Sequence, residues 1–151
     1  MNTTRVLVAW LAVAAAALPC ARAGEVADVP YGVAESRWEE ILGNHRARVH
    51  VGQKADAVRA DLPWRRRDLQ PHKKSIIVVD AATGQRVLNV ARVNVHRESA
   101  DVVFQPATVP GEYCVYYMPF EHSGRGAPYR AAYLPPEATA AAPWLERHGL
   151  K

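Results

Sequence analysis

Cysteine is scarce in this sequence, which holds two cysteines among its 151 residues. Cys20 lies in an N-terminal segment that we expect to be cleaved off, so Cys114 remains alone and an internal disulfide is excluded. Cys114 is flanked by apolar residues within a strand-like run, which predicts a buried small hydrophobic residue rather than a nucleophile. An exported chain without disulfides is typical of bacterial envelope or secreted proteins.

Short motifs of common enzyme and metal sites are also missing. The sequence has no H-E-x-x-H or Cys-Cys-His spacing, no G-x-S-x-G turn and no glycine-rich phosphate loop. His45 and His50 are expected on opposite faces of one strand, so they do not form a joint metal site. The carboxylates are scattered, and no pair stands out as the two groups of a glycosidase. We therefore expect no metal, no cofactor and no catalytic residue in this chain.

The first 23 residues form the pattern of a secretory signal peptide. A short polar start with Arg5 precedes an apolar run over residues 6–18, and Ala21-Arg22-Ala23 supplies a cleavage site after Ala23. The run is shorter than the roughly 20 residues of an ordinary membrane-spanning helix. We therefore expect export to the periplasm or the extracellular space, with no membrane anchor after cleavage.

Cleavage of this segment lowers the formal charge of the chain. Removing Arg5 and Arg22 changes the net charge from +4 to +2. So small an excess of positive charge is weak evidence for a polyanionic partner, and we expect no nucleic-acid partner.

The remaining sequence predicts an all-β, antiparallel β-sandwich. Residues 24–44 read as a leader with a short helical turn, 45–134 as the sandwich, and 135–151 as a linker and short helix. Short strands with turn signals about every ten residues favour a sandwich over a parallel α/β sheet. Strands are predicted near residues 45–51, 75–80, 86–90, 93–96, 101–104 and 113–118. Residues 54–62 lack strong strand formers, and 122–127 read as a glycine-rich loop.

The densest charge cluster of the chain lies at residues 61–68, DLPWRRRD. The proline favours an extended segment, in which side chains alternate between two faces. Alternation puts Arg65 and Arg67 on one face and Trp64, Arg66 and Asp68 on the other.

This charged run has two interpretations. One is a solvated surface segment. The other is an Arg-Asp-Trp network that fixes a corner of the fold, docks another domain or holds a sugar, because guanidinium groups grip carboxylates and stack on indoles. In the second case Arg65 or Arg67 is expected to pair with Asp61 or Asp68.

Aromatic residues of the chain also have two interpretations. They form a sugar-stacking platform, or they fill the sandwich core or a domain interface. The set comprises Trp64, Tyr113, Tyr116, Tyr117, Tyr129 and Tyr133. The strand at 113–118 is apolar on both faces and therefore predicts a cover on each, which makes it a second candidate binding surface beside the Trp64 corner.

Six further sequence motifs belong together: LPWRRRD at 62–68, DAATG at 80–84, NV at 89–90, FQP at 104–106, PGEY at 110–113 and VYYMP at 115–119. Together they resemble one domain type, the N-terminal domain of glycoside hydrolase family 123 and related bacterial proteins. The resemblance extends from about His45 to Trp144. Cys114 departs from it, since a second tyrosine is expected beside Tyr113.

The resemblance implies a β-sandwich that precedes a (β/α)₈ barrel. In that family the barrel cleaves N-acetylgalactosaminides with an adjacent Asp-Glu pair, and the substrate's acetamido group is the nucleophile. No Asp is directly followed by Glu in this sequence, and its length leaves no room for a barrel of about 250 residues. We therefore expect a non-catalytic front domain alone, from a truncated or split gene.

The expected partner is a glycosidase barrel or a glycan, bound through Trp64, Arg65, Arg66, Arg67, Asp68, Tyr113, Tyr116 and Tyr117. The alternative function is a free-standing exported carbohydrate-binding module.

Overall fold

Alternating hydrophobicity builds the first strand as the sequence predicts. β1 (Arg46–Val51) directs Ala47, Val49 and Val51 into the core, whereas Arg48 and His50 are exposed. A period of two is the expected pattern for a strand with one buried face. The structure is a computed structural model.

The structure describes residues 32–34, 36–64, 66–123 and 130–150. The predicted signal peptide, Arg65, Tyr129 and the glycine-rich segment 124–127 lie outside these residues. Within them, no helix is long and apolar enough to span a bilayer. The elements after β1 are β2 (Val58–Pro63), β3 (Ile77–Asp80), β4 (Val90–Val95), β5 (Ser99–Phe104), β6 (Gly111–Tyr116), β7 (Phe120–Ser123), β8 (Arg130–Tyr133) and α1 (Ala142–Arg147), with 3₁₀ turns at Glu40–Leu42 and Pro71–Lys73.

The strands form two three-stranded antiparallel sheets and one hairpin. The first sheet has the order β1-β6-β3, the second has the order β2-β5-β4, and β7 pairs with β8. One apolar cluster contains inward residues of both three-stranded sheets, among them Val78, Val102, Phe104, Tyr113 and Val115. The all-β, antiparallel fold predicted from the sequence is confirmed, and the two sheets pack face to face around this core.

The outer face of the first sheet is covered by the segment that precedes β1. Cys114 and Tyr116 of β6 contact Trp38 and Leu42, and Trp38 Nε1 donates a 2.6 Å hydrogen bond to the Gly43 carbonyl. Gly43 has φ +82°, and an added Cβ would lie 2.2 Å from the Met118 carbonyl oxygen, so this close approach requires glycine. The cover predicted for both faces of β6 therefore comes from residues of this chain.

The outer face of the second sheet is covered by α1. Trp144 is 2 % exposed and packs with Ala91 and Val103, while its Nε1 donates to the Asp56 carbonyl at 3.0 Å. A helix of six residues is too short to be stable alone, so this packing holds it in place. The short helix predicted within residues 135–151 is thus part of the sandwich surface.

Three sequence-based assignments of local structure were wrong. Residues 86–90 are not a strand, because only Arg86 bridges to Val79 and β4 begins at Val90. β2 was missed because residues 54–62 have low intrinsic strand propensity. It forms because Ala60 and Leu62 point into the core and β5 supplies its hydrogen bonds. The loop predicted from residue 122 overlaps β7, which pairs with β8.

Candidate functional site: the Trp64 corner

Trp64 lies directly after β2 and is held by the turn that joins β4 to β5. Its backbone N–H donates to the Glu98 carbonyl at 2.8 Å, and its Nε1 donates to the His96 carbonyl at 2.9 Å. Only 3 % of the residue is exposed. Both N–H groups of Trp64 thus donate to backbone carbonyls, as a buried tryptophan requires.

Arg66 is the centre of the corner. Its Nε and Nη2 donate to the two carboxylate oxygens of Asp68 at 2.8 and 3.1 Å, and Nη1 donates to the Tyr117 carbonyl at 2.9 Å. The guanidinium carbon lies 5.3 Å from the centroid of the Trp64 ring, within range of a cation–π contact. Because the Arg66 side chain is 1 % exposed, the two-pronged carboxylate contact compensates a charge removed from water.

A second cation, Lys74, completes the electrostatics of the corner. Lys74 Nζ lies 3.0 Å from Asp68 Oδ2 and 4.0 Å from the centroid of the Tyr133 ring. Burial raises the pKa of the Asp68 carboxyl, but hydrogen bonds from Arg66 and Lys74 outweigh this effect and hold the pKa below its ordinary value of 3.8. Asp68 is therefore an ionised acceptor shared by two cations.

The alternation predicted for this run is confirmed for one face and its ion pairing is corrected. Trp64, Arg66 and Asp68 contact one another, as an extended segment requires. Among the described residues, Asp68 pairs with Arg66 and Lys74, so the expected pairing of Asp68 with Arg67 was wrong. The Arg67 side chain and Asp61 of β2 are exposed, and Arg65 lies outside the described residues.

The three tyrosines proposed beside Trp64 have different surroundings. Tyr113 is fully buried; its hydroxyl donates to the Thr108 carbonyl and accepts from the Thr108 N–H, both at 2.8 Å. Tyr116 is 4 % exposed and lies on the opposite face of β6. Only Tyr117 joins the Trp64 corner, with its ring 4.6 Å from the indole. The buried rings contact protein, and binding of a carbohydrate or another domain by this set stays a prediction.

Lys74 belongs to the corner without a sequence signal that places it there, and Tyr133, one of the aromatic residues named from the sequence, had no signal that paired it with Lys74. They lie about 60 positions apart in the chain, and next to them the Ser75 N–H donates to the Leu134 carbonyl. A lysine after a 3₁₀ turn and a tyrosine in a short strand are ordinary surface residues until the fold brings them together.

Carboxylates elsewhere on the described surface are tied into similar contacts. The pKa values of Asp56, Asp101 and Glu112 lie below their ordinary values, chiefly because each accepts a side-chain hydrogen bond; the donors are His148, Asn94 and Arg48. A glycosidase acid instead needs a raised pKa, so that it remains protonated until it reacts. No group of three His, Cys, Asp or Glu residues in the described parts of the chain is placed to hold a metal ion.

One comparison with known proteins identifies a family for this chain. The family described as glycoside hydrolase 123, N-terminal domain, matches residues 36–151. No curated protein and no solved structure matches the chain. The matched range begins just before Trp38 and includes both sheets, the Trp64 corner and α1.

Proposed function

Because the chain belongs to the glycoside hydrolase 123 N-terminal domain family, we propose that it is a non-catalytic accessory sandwich that packs against a glycosidase barrel. The barrel would cleave N-acetylgalactosaminides, and this domain would contribute stability and position rather than chemistry. One observation carries the proposal. The guanidinium of Arg66, the carboxylate of Asp68 and the indole of Trp64 contact one another inside the fold.

The state of the carboxylates supports a non-catalytic role. Hydrolysis of a glycoside requires an acid and a second catalytic group on opposite sides of the scissile bond. Asp68, Asp101 and Glu112 accept hydrogen bonds from cations or amides, which favours the ionised form and opposes proton donation. These three carboxylates therefore stabilise the domain rather than act as a general acid.

Burial of the rings makes a free-standing carbohydrate-binding module the weaker candidate. A stacking platform needs an open aromatic face, whereas Trp64 is packed against Tyr117 and Arg66. Tyr133 is 45 % exposed, but the Lys74 ammonium lies over its ring. A sugar would have to displace these neighbours before it could stack on the indole or on the ring face that Lys74 covers.

Export is part of the same proposal. The pattern of residues 1–23 supports cleavage after Ala23 and a location in the periplasm or outside the cell. We expect the N-terminal sequence of secreted protein to begin at Gly24. Full-length protein that retains Met1 in a membrane fraction would contradict this expectation.

The function is tested with the full chain and a catalytic domain taken from another member of the family. We expect no release of p-nitrophenol from N-acetylgalactosaminides of either anomer by the chain alone. We also expect co-elution with the catalytic domain and an increase in its melting temperature, neither of which an unrelated β-sandwich produces. Turnover that survives repurification would overturn the non-catalytic role. Binding to N-acetylgalactosamine-bearing glycans without binding to the catalytic domain would favour the module instead.

A further inference from the structure

Five exposed residues surround the buried ion pairs of the Trp64 corner. Each of them either is next in the chain to Asp68 or Lys74, or contacts Arg66 or Lys74. We call this set the corner rim, and its members are Arg67, Leu69, Lys73, Arg97 and Tyr133. Because the ion pairs beneath the rim tie its segments together, the rim is ordered before a partner binds, which lowers the entropic cost of binding.

Two segments of the chain meet at the rim. Arg67 and Leu69 flank Asp68 in the sequence, and the Arg66 N–H donates to the Arg97 carbonyl at 2.8 Å. This hydrogen bond places the turn between β4 and β5 beside the charged run. Cations from both segments therefore lie at the same corner of the fold.

Strand β8 contributes the aromatic residue of the rim. Lys74 Nζ lies 4.0 Å from the centroid of the Tyr133 ring and 3.0 Å from Asp68 Oδ2, so the ring is joined to the same ion pairs. Lys73, the residue before Lys74, is exposed. The rim thus combines cations with an aromatic ring.

Positive charge prevails at the rim. Arg67, Lys73 and Arg97 have no carboxylate partner among the described residues. Asp68 is already shared by two buried cations and does not offset them. Glu98, in the same turn as Arg97, is exposed and offsets one of the three charges. The complementary surface of a partner is therefore acidic.

Leu69 and Tyr133 indicate what kind of partner carries that acidic surface. Leu69 is 82 % exposed and Tyr133 is 45 % exposed. A polyanionic glycan or nucleic acid binds through cations and stacking, and gains little from a leucine side chain. A protein partner removes both side chains from water, and interfaces between proteins are enriched in tyrosine and arginine. The composition of the rim therefore favours a protein.

We propose that the corner rim is the surface with which this domain docks on an acidic, partly apolar face of the glycosidase barrel. The inference rests on the proposed function, which supplies the barrel as the partner. The buried ion pairs form the base of the docking surface, and the exposed cations orient the partner.

The test measures binding of the full chain to the catalytic domain of another family member by isothermal titration calorimetry at several salt concentrations. Joint substitution of Arg67→Glu and Arg97→Glu should weaken binding about tenfold or more at low salt, because it reverses charges that face an acidic surface. Binding of the unmodified chain should weaken as salt rises. Lys54→Glu is the matched control, an exposed lysine at the opposite end of β2, and should leave the affinity unchanged.

A second substitution separates the apolar contact from the charges. Leu69→Ala should weaken binding about fivefold and leave its salt dependence unchanged, since it removes apolar area and no charge. Ile41→Ala, also an exposed aliphatic residue, is the matched control and should have no effect. Unchanged melting temperatures of all these variants would show that the fold is retained.

The outcomes distinguish this inference from the proposed function. An unmodified chain that does not bind the catalytic domain would refute both. Binding that the rim substitutions weaken no more than Lys54→Glu and Ile41→Ala do would leave the proposed function standing and overturn the rim as the docking surface. Binding that does not depend on salt would overturn the acidic partner face. If the rim substitutions abolish binding to polygalacturonate but not to the catalytic domain, the rim is a glycan-binding surface and the inference is wrong.

Discussion

At the scale of single residues, the contribution of the charged run 61–68 to stability depends on which arginine is buried. Arg66 and Arg67 are neighbours with the same side chain, yet one is buried and the other is exposed. The alternation of an extended segment turns Arg66 toward Trp64 and Arg67 toward water. Neighbouring identical residues should therefore differ sharply in their contribution to stability.

Replacement of Arg66 should be far more costly than replacement of Arg67. Arg66→Ala leaves Asp68 and the Tyr117 carbonyl without their main donor in a water-poor site, which we expect to lower the free energy of unfolding by about 3 kcal/mol. Arg67→Ala should change it by less than about 0.5 kcal/mol, as for an exposed residue. Urea unfolding of both variants measures the difference. Equal, small effects would mean that the ion pair in the corner adds no stability.

Acid should weaken the corner through Asp68. Its pKa is lowered in the folded protein, so its contribution to stability is present above the unfolded-state value near 3.8 and is lost as the pH falls through the folded-state pKa. Asp68→Asn should therefore reduce the loss of unfolding free energy between neutral pH and acid. Denaturant midpoints over this range measure it, with exposed Glu121→Gln as control. An Asp68→Asn profile as steep as that of the unmodified chain would contradict the prediction.

At the scale of elements, strands and helix have different sources of stability. β2 forms although its residues are poor strand formers, because β5 provides hydrogen bonds and the core receives Ala60 and Leu62. α1 forms although it is short, because Trp144 enters a site between Ala91 and Val103. Burial of one large ring thus replaces intrinsic helix propensity.

Trp144→Ala should release α1 from the second sheet. The lost ring is expected to lower the free energy of unfolding by about 3–5 kcal/mol, or by less if the helix detaches before the sheets separate. Trp144→Phe retains most of the apolar contact and loses the hydrogen bond to Asp56, so about 1 kcal/mol is expected. Amide hydrogen exchange of α1 measures detachment. Exposed Glu146→Ala on the same helix is the control, and exchange that is equally slow in all variants would refute this account.

At the scale of the whole molecule, segments from the two ends of the described chain cover the outer faces of the sandwich. Trp38 and Leu42 cover Cys114 and Tyr116, while Trp144 covers Val103. Antiparallel sheets often leave one face in water, but apolar outer residues here require a cover. The sandwich is therefore a layered structure whose surface depends on the segments before β1 and after β8.

Loss of the first cover should cause self-association. The double substitution of Trp38→Ala and Leu42→Ala exposes Tyr116 and its apolar neighbours, so we expect larger particles in light scattering at concentrations where the unmodified chain is monodisperse. Ile41→Ala changes a residue that is already 51 % exposed and serves as control. A double variant that remains monodisperse would show that this cover is unnecessary for solubility.

The sequence by itself determined the all-β class, the family resemblance, the alternation of β1 and the shared face of Trp64, Arg66 and Asp68. These are local properties, since a period of two and a motif are both written in consecutive residues. Only the tertiary structure decided that Asp68 pairs with Lys74 as well as with Arg66. It also decided that Trp38 covers β6 and that the poor strand formers after Gln53 form β2. Such contacts join residues far apart in the chain, and their free energy comes from burial and pairing that exist only after the sheets have assembled.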